Sequence, residues 1–328
     1  MSDLEKVSYI DTNVWKINQG SGMYRHILDF LHTTWGTTNK NFFPGPQPIS
    51  IERLHFPILK RAEYVVCEKT DGLRHVCVCM MVGDKKICAL IDRSQSMYLM
   101  SLRVPTSMFQ GSLFDGELVK DLEGKWNYMI YDCLMIDGIH VSHLDLIRRL
   151  ENAERFAKGI TRLAKDPIFV KMKTFWNLRT SFGEFAQQEF PYKTDGIVLT
   201  PVNEAVRCGT HETMFKWKPR DANTIDFQFK KGYQKWNMYV AEKGQLIFES
   251  EVFENQMDPE LLRDLKEDSI VECHYVHWEF PRWWRPLLIR KDKTHPNNRR
   301  TFYRTLKNIS EDIQLIEFER LFKNGVRS

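Results

Sequence analysis

The chain has 328 residues, 42% hydrophobic and 27% charged, and its 47 Lys+Arg against 43 Asp+Glu give a formal net charge of +4. That length accommodates two domains with sizeable cores, and the near-neutral balance suits a local basic groove for a phosphorylated substrate without demanding nucleic acid. The longest apolar run, 76–82, is far short of a membrane span, and the opening Met1-Ser2-Asp3-Leu4-Glu5-Lys6 does not read as a signal peptide. Seven cysteines, an odd number without a CxxC pair, read as core thiols in a reducing compartment.

In chain order, residues 23–35 place Tyr24, Ile27, Leu28, Leu31 and Trp35 at helical spacing, which predicts an amphipathic helix stopped at Gly36. The Pro-rich stretch 44–48 predicts an extended connector. The apolar run 64–67 predicts a buried strand, Asp71-Gly72 a sharp turn, and 75–82 with 87–92 a hairpin about Gly83-Asp84-Lys85-Lys86. Lys69 therefore stands at the mouth of a strand–turn–strand, with Glu68 before it and Arg74 five residues on. Such a lysine is either a solvated turn residue or a nucleophilic amine, and the amine attacks only when deprotonated.

Residues 112–119 and 126–136 predict a second hairpin, carrying Glu117 and Asp132 inside apolar strands. Acids in that setting must be hydrogen-bonded, paired or placed on a ligand, so both are candidates for a site or for a structural pair. A helix is expected over 145–159 with Ser142 as N-cap, a strand over 168–173 and a second helix around 178–190. Asp195-Gly196 then leads an acid into another apolar strand. In Met214-Phe215-Lys216-Trp217-Lys218-Pro219, strand geometry projects Lys216 and Lys218 from one face, where a phosphate would relieve their repulsion.

A boundary is expected near 220–223. Beyond it, short strands over 225–229, 236–241, 246–249 and 270–276 predict a small barrel or sandwich. The basic and aromatic segment 283–293 suits phosphate or RNA contact, and 310–322 predicts a closing helix.

Taken in order, these pieces resemble the covalent nucleotidyltransferases, the superfamily of ATP- and NAD-dependent ligases and mRNA guanylyltransferases. Within it the chain is similar to mRNA capping enzymes, and looks like the small stand-alone guanylyltransferases of large DNA viruses such as Chlorella virus. The resemblance runs from Pro44-Gly45-Pro46 and Ser50-Ile51-Glu52-Arg53 through Glu68-Lys69-Thr70-Asp71-Gly72-Leu73-Arg74 to Leu321-Phe322. It implies an α+β fold: a nucleotidyltransferase domain of antiparallel sheets (ATP-grasp-like, DNA-ligase-like) over 1–223, an OB-fold β-barrel over 224–303, and a C-terminal helix over 304–328 packed back on the first domain.

The resemblance assigns roles position by position. Lys69 would be the nucleophile that becomes Lys–GMP. Arg74 and Arg93 would hold the ribose, Glu117 would face the sugar and the metal, and Tyr131 would stack on the purine. Lys173 would read the guanine edge, Asp195 would bind the metal, and Lys216 and Lys218 would grip the α-phosphate. Arg290, Asp292 and Lys293 would bind the β- and γ-phosphates from a small domain that closes for the first step and opens for RNA.

The implied activity is transfer of GMP from GTP, with Mg²⁺ or Mn²⁺, to a 5′-diphosphate RNA end to form a GpppN cap. The alternatives are an ATP-dependent polynucleotide ligase and a catalytically inactive RNA-end-binding homologue. A separate RNA triphosphatase and cap methyltransferase are expected partners. The protein is expected to be a monomer in the cytoplasm or nucleus of an infected host cell, with no membrane association.

Overall fold

The apolar runs of the first half become strands buried on both faces. In the computed structural model, which describes residues 3–163, 166–276, 283–291 and 293–323, the largest sheet has nine strands. Along it run Leu4–Tyr9, Thr12–Ile17, Met97–Leu99, Lys85–Asp92, Leu73–Val82, Ser112–Lys120, Trp126–Ile136 and Ile139–His140, with Ile168–Met172 added parallel to Trp126–Ile136. Because side chains alternate along a strand, Cys77 and Cys79 enter one core while Val76, Val78 and Met80 enter the other. The first core is closed by helix Leu146–Gly159, whose Phe156 stacks on Phe114 at 4.0 Å between ring centroids. Helix Gly22–Thr34 closes the second through Ile27 and Leu31. Each such fully buried side chain contributes about 1.5–3 kcal/mol. All seven cysteines are free thiols, and six are buried.

A second sheet has the order Trp176–Asn177, Tyr64–Thr70, Thr194–Pro201, Gly209–Trp217, Pro46–Ser50. Three expectations change here. The helix over 145–159 is capped by Asp145, which accepts from the Arg148 amide at 2.9 Å, rather than by Ser142. The helix expected around 178–190 shrinks to Phe182–Phe185, because Trp176, Phe182, Phe185 and Phe190 form an aromatic cluster that turns can hold as well as a helix. The hairpin Leu4–Tyr9 with Thr12–Ile17 appears where no strand was expected.

The chain forms two compact units: one of residues up to Ile49, Pro57–Lys216 and from Leu321, the other of Ser50–Phe56 and Trp217–Arg320. The compact units divide after Lys216, a few residues before the stretch 220–223 where a boundary was expected. In the second unit five strands lie in the order Gln245–Phe253, Lys235–Glu242, Thr224–Lys231, Ile270–Val276, Trp283–Ile289, and the two end strands meet to close a barrel. With a helix, Pro259–Asp264, between Gln245–Phe253 and Ile270–Val276 along the chain, this is an OB-fold. The C-terminal helix is two helices, Arg299–Glu311 and Leu315–Lys323, separated at the left-handed Asp312 (φ 45°). Arg299–Glu311 does not belong to the first unit: its Phe302 and Ile309 complete the apolar core of the barrel with Phe227, Trp236 and Trp284.

Candidate active site

Strand Tyr64–Thr70 is almost wholly buried until Lys69, where it meets a cavity of about 290 Å³. Cys67 and Lys69 both line this cavity, together with Arg74, Arg93, Glu117, Tyr131, Lys173 and Lys216. Six of the residues expected at a nucleotide site are thus gathered around the seventh, Lys69, although they come from six separate stretches of sequence. The turn after the strand requires Gly72, since a Cβ there would meet the Leu118 carbonyl oxygen at 2.5 Å.

Two β-bulges aim the functional side chains. Thr194 pairs with Thr70 and Gly196 with Lys69, which leaves Asp195 as the extra residue of its strand. Its Oδ1 accepts from Lys69 Nζ at 2.7 Å, both side chains being about three-quarters buried (26% and 22% exposed). Likewise Asp115 pairs with Asp132 and Gly116 with Ile130, which leaves Tyr131 as the bulged residue. The aromatic face and the acid therefore enter the site by the same backbone device.

One acid passed over in the sequence is central. Asp115 is fully buried and accepts from Arg74 (Nε 3.1 Å, Nη2 2.5 Å) and from the Tyr131 hydroxyl at 2.8 Å. It supplies the partner that a buried tyrosine needs, and burial holds the Tyr131 pKa well above its ordinary value. Burial works against the Arg74 charge, but the adjacent Asp115 more than offsets it and the Arg74 pKa is raised. Arg74 Nη1 also donates to the Pro46 carbonyl at 2.8 Å. Gly45 (φ +131°) lies so close to the guanidinium that a Cβ there would collide with Arg74 Nη2.

Asp132, a candidate from the sequence, is a structural acid. It forms a buried bidentate pair with Arg149 (2.7 and 3.1 Å), whose Nη1 donates to the carbonyls of Leu144 and Glu204. Lys173 is 5% exposed, and its Nζ donates to Thr70 Oγ1 at 3.1 Å, 3.7 Å from Glu68 and 4.0 Å from Glu117. Glu117 accepts from Thr70 as well. Burial pushes the Cys67 thiol up to about 12, so it stays protonated and does not compete with the neighbouring amine.

Lys218 is not among the residues that line this cavity. The strand ends at Trp217, ahead of Pro219, so Lys218 lies past the strand and in the second unit. There also lie Arg290 and Lys293. Arg290 Nη1 is 2.9 Å from Glu272 Oε2 and 3.3 Å from Asp226 Oδ1, and Lys293 Nζ bonds the other Asp226 oxygen. Asp292 lies outside the described residues.

This is the geometry of an amine set among cations and carboxylates, and the sequence profile of the mRNA capping enzyme catalytic domain matches residues 11–220. The chain belongs to the mRNA capping enzyme family. The profile of that enzyme's C-terminal domain matches residues 222–318, over the OB-fold. The mRNA-capping enzyme subunit alpha of Schizosaccharomyces pombe is 26% identical over 324 residues, covering 84% of this chain and 79% of that protein. Its counterpart from Yarrowia lipolytica is 27% identical, covering 83% and 80%. The mRNA-capping enzyme of Danio rerio is 27% identical over 284 residues, covering 79% of this chain and 46% of the zebrafish protein. The capping family member described here is an enzyme, a nucleotidyltransferase acting as an mRNA guanylyltransferase. No helix among the described residues is long and apolar enough to cross a membrane.

Proposed function

We propose that Lys69 is the nucleophile and GTP the donor, in two transfers through a covalent Lys69–GMP. The observation that carries this reading is the Lys69 amine at the mouth of the cavity, held 2.7 Å from an acid aimed at it by a bulge. In the first step the amine attacks the α-phosphorus: a P–N bond forms, the α–β bridging P–O bond breaks, and pyrophosphate leaves with the electron pair. The amine's proton passes to Asp195 or to water. In the second step a β-phosphate oxygen of a 5′-diphosphate RNA attacks the same phosphorus, the P–N bond breaks, and the lysine regains its proton as GpppN is released.

The other residues position and neutralise, which is most of what phosphoryl transfer asks of a protein. Tyr131 would stack on the purine, Lys173 would meet its edge, and Arg74 and Arg93 would hold the ribose. Lys216, with Lys218, would take the α-phosphate. Arg290 and Lys293 would take the β- and γ-phosphates, exchanging their carboxylate partners for phosphate oxygens. Glu117 and Asp195 fit a hard divalent cation such as Mg²⁺ or Mn²⁺, which takes one or two carboxylates together with phosphate oxygens. When bound, that ion would neutralise phosphate charge; Asp195 would then be shared between it and Lys69. The diphosphate end and the later methylation are assigned to other proteins. The likeness to the small viral enzymes rests on the order of the motifs alone; the named relatives are fungal and animal.

Incubation with α-labelled GTP or ATP and a divalent metal, followed by a denaturing gel, tests the reading. Label from GTP alone supports it. Label from ATP alone would support a ligase, and no label would support an inactive homologue.

A further inference from the structure

Glu68 precedes the nucleophile, yet it faces away from the cavity that Cys67 and Lys69 line. It is 2% exposed, an environment in which a carboxylate is costly unless paired. Its Oε1 accepts from the Tyr192 hydroxyl at 3.0 Å and lies 3.7 Å from Lys173 Nζ, while its Oε2 is buried without a hydrogen bond. Tyr192 is itself held by a near-parallel ring contact with Phe190 (5.9 Å, 25°).

We propose that Glu68, oriented by Tyr192, is a positioning residue that fixes where the Lys173 ammonium meets the purine, and so helps set which base the pocket accepts. This rests on the reading that Lys173 faces the base.

Lys173 has two carboxylates near it, Glu68 and Glu117. Glu117 lines the cavity with its side chain 18% exposed, within reach of an incoming sugar or metal. Glu68 is sealed behind Lys173 and cannot turn to a ligand, so it is the permanent partner. Burial raises the Glu68 pKa while Lys173 lowers it, as expected of a carboxylate that depends on this one cation. A lysine ammonium has three donors and no acceptor. One is spent on Thr70, and the ion pair with Glu68 anchors the rest of the group at the cavity wall. A donor fixed there favours a base edge with acceptors, as guanine has at O6 and N7, over adenine with its amino group.

Glu68→Gln tests this, since it keeps the shape and an acceptor for Tyr192 but removes the charge. The expected result is an approximately tenfold rise in KM for GTP in adduct formation and a similar fall in GTP-over-ATP selectivity, the scale of one charge-assisted contact. The rate at saturating GTP and the transfer of preformed adduct to RNA should hold. In a Lys173→Met background, Glu68→Gln should add no further loss. Should Glu68→Gln fail to fold, Tyr192→Phe must still lower the selectivity, to a smaller degree. Unchanged KM and selectivity in a folded Glu68→Gln protein, or losses that simply add to those of Lys173→Met, would overturn the proposal while leaving guanylyl transfer intact. Absence of any adduct in the wild-type protein is instead a failure of the transfer reading, and removes this proposal with it.

Discussion

Among the described residues, the cations around Lys69 and those at Arg290 and Lys293 are each matched to acids, one group in each unit, and the two groups are built differently. Around Lys69 the pairs are buried and surround a cavity: Arg74 with fully buried Asp115, and Lys173 with Glu68. On the barrel, Arg290 and Lys293 are 24% and 35% exposed and share buried Asp226, and Arg290 also pairs with Glu272. Buried pairs are costly to break and fix geometry, whereas partly exposed pairs are weak and can exchange partners. The first cluster is therefore suited to holding a reacting nucleotide in one pose, and the second to cations that take up phosphates and let them go.

The largest effect should come from the centre of the first cluster. Lys69→Ala should abolish the covalent adduct altogether, as read by label retained through denaturation, while the protein melts as the wild type does. Next, Asp115→Asn should leave the Arg74 guanidinium without its buried partner and cost about 3–5 kcal/mol of stability in denaturant unfolding. Glu272→Gln, the matching change on the barrel, should cost under about 1 kcal/mol. Equal costs would erase the distinction between the clusters.

Lys293→Ala should slow adduct formation by about 10–100-fold, a loss of roughly 1.4–2.7 kcal/mol in the barrier. Transfer from preformed adduct to RNA should change much less, since pyrophosphate is the leaving group only of the first step. Equal loss in both half-reactions would remove the exchange role from the second cluster.

The smallest effect concerns pH. His32, His75 and His211 are buried in the first unit, and burial lowers the pKa of each. The unfolded chain, with histidines near about 6.5, takes up protons more readily than the folded one. Their contribution is thus complete above that pH and is lost as pH falls below it toward the lowered folded values. Hydrogen exchange at pH 7 and pH 5.5 should show the first unit loosening at the lower pH. Stability that rises on acidification over that interval would contradict the assignment.

How much of this was legible in the sequence depended on how local each signal is. Lys69, Arg74, Glu117, Asp195 and Lys216 sit in short contiguous motifs; four of them line the cavity and Asp195 bonds Lys69. Asp115 and Glu68 stand in the same motifs, but what they do depends on which strands lie beside them and on bulges that the sequence does not announce. Asp132 illustrates the reverse: an acid in an apolar strand looks functional until Arg149, from the helix that follows, is seen to satisfy it. The N-terminal hairpin was hidden because its turn residues, Ile10 and Asp11, both adopt positive φ (47° and 57°), a conformation usually marked by Asn-Gly or Asp-Gly. Helix Arg299–Glu311 was read only in part, merged into one C-terminal helix over 304–328, because only Phe302 and Ile309 along it are buried, a thin apolar stripe among charges. Four of the five barrel strands were readable because apolar residues alternate within short segments separated by turns, whereas Trp283–Ile289 stood out in the sequence only as a basic and aromatic segment.

The most direct test is the intact mass of the protein after exposure to GTP and a divalent metal. The account predicts a gain of one GMP, mapped by fragmentation to Lys69. An unchanged mass, or a nucleotide carried on any other side chain, would contradict it.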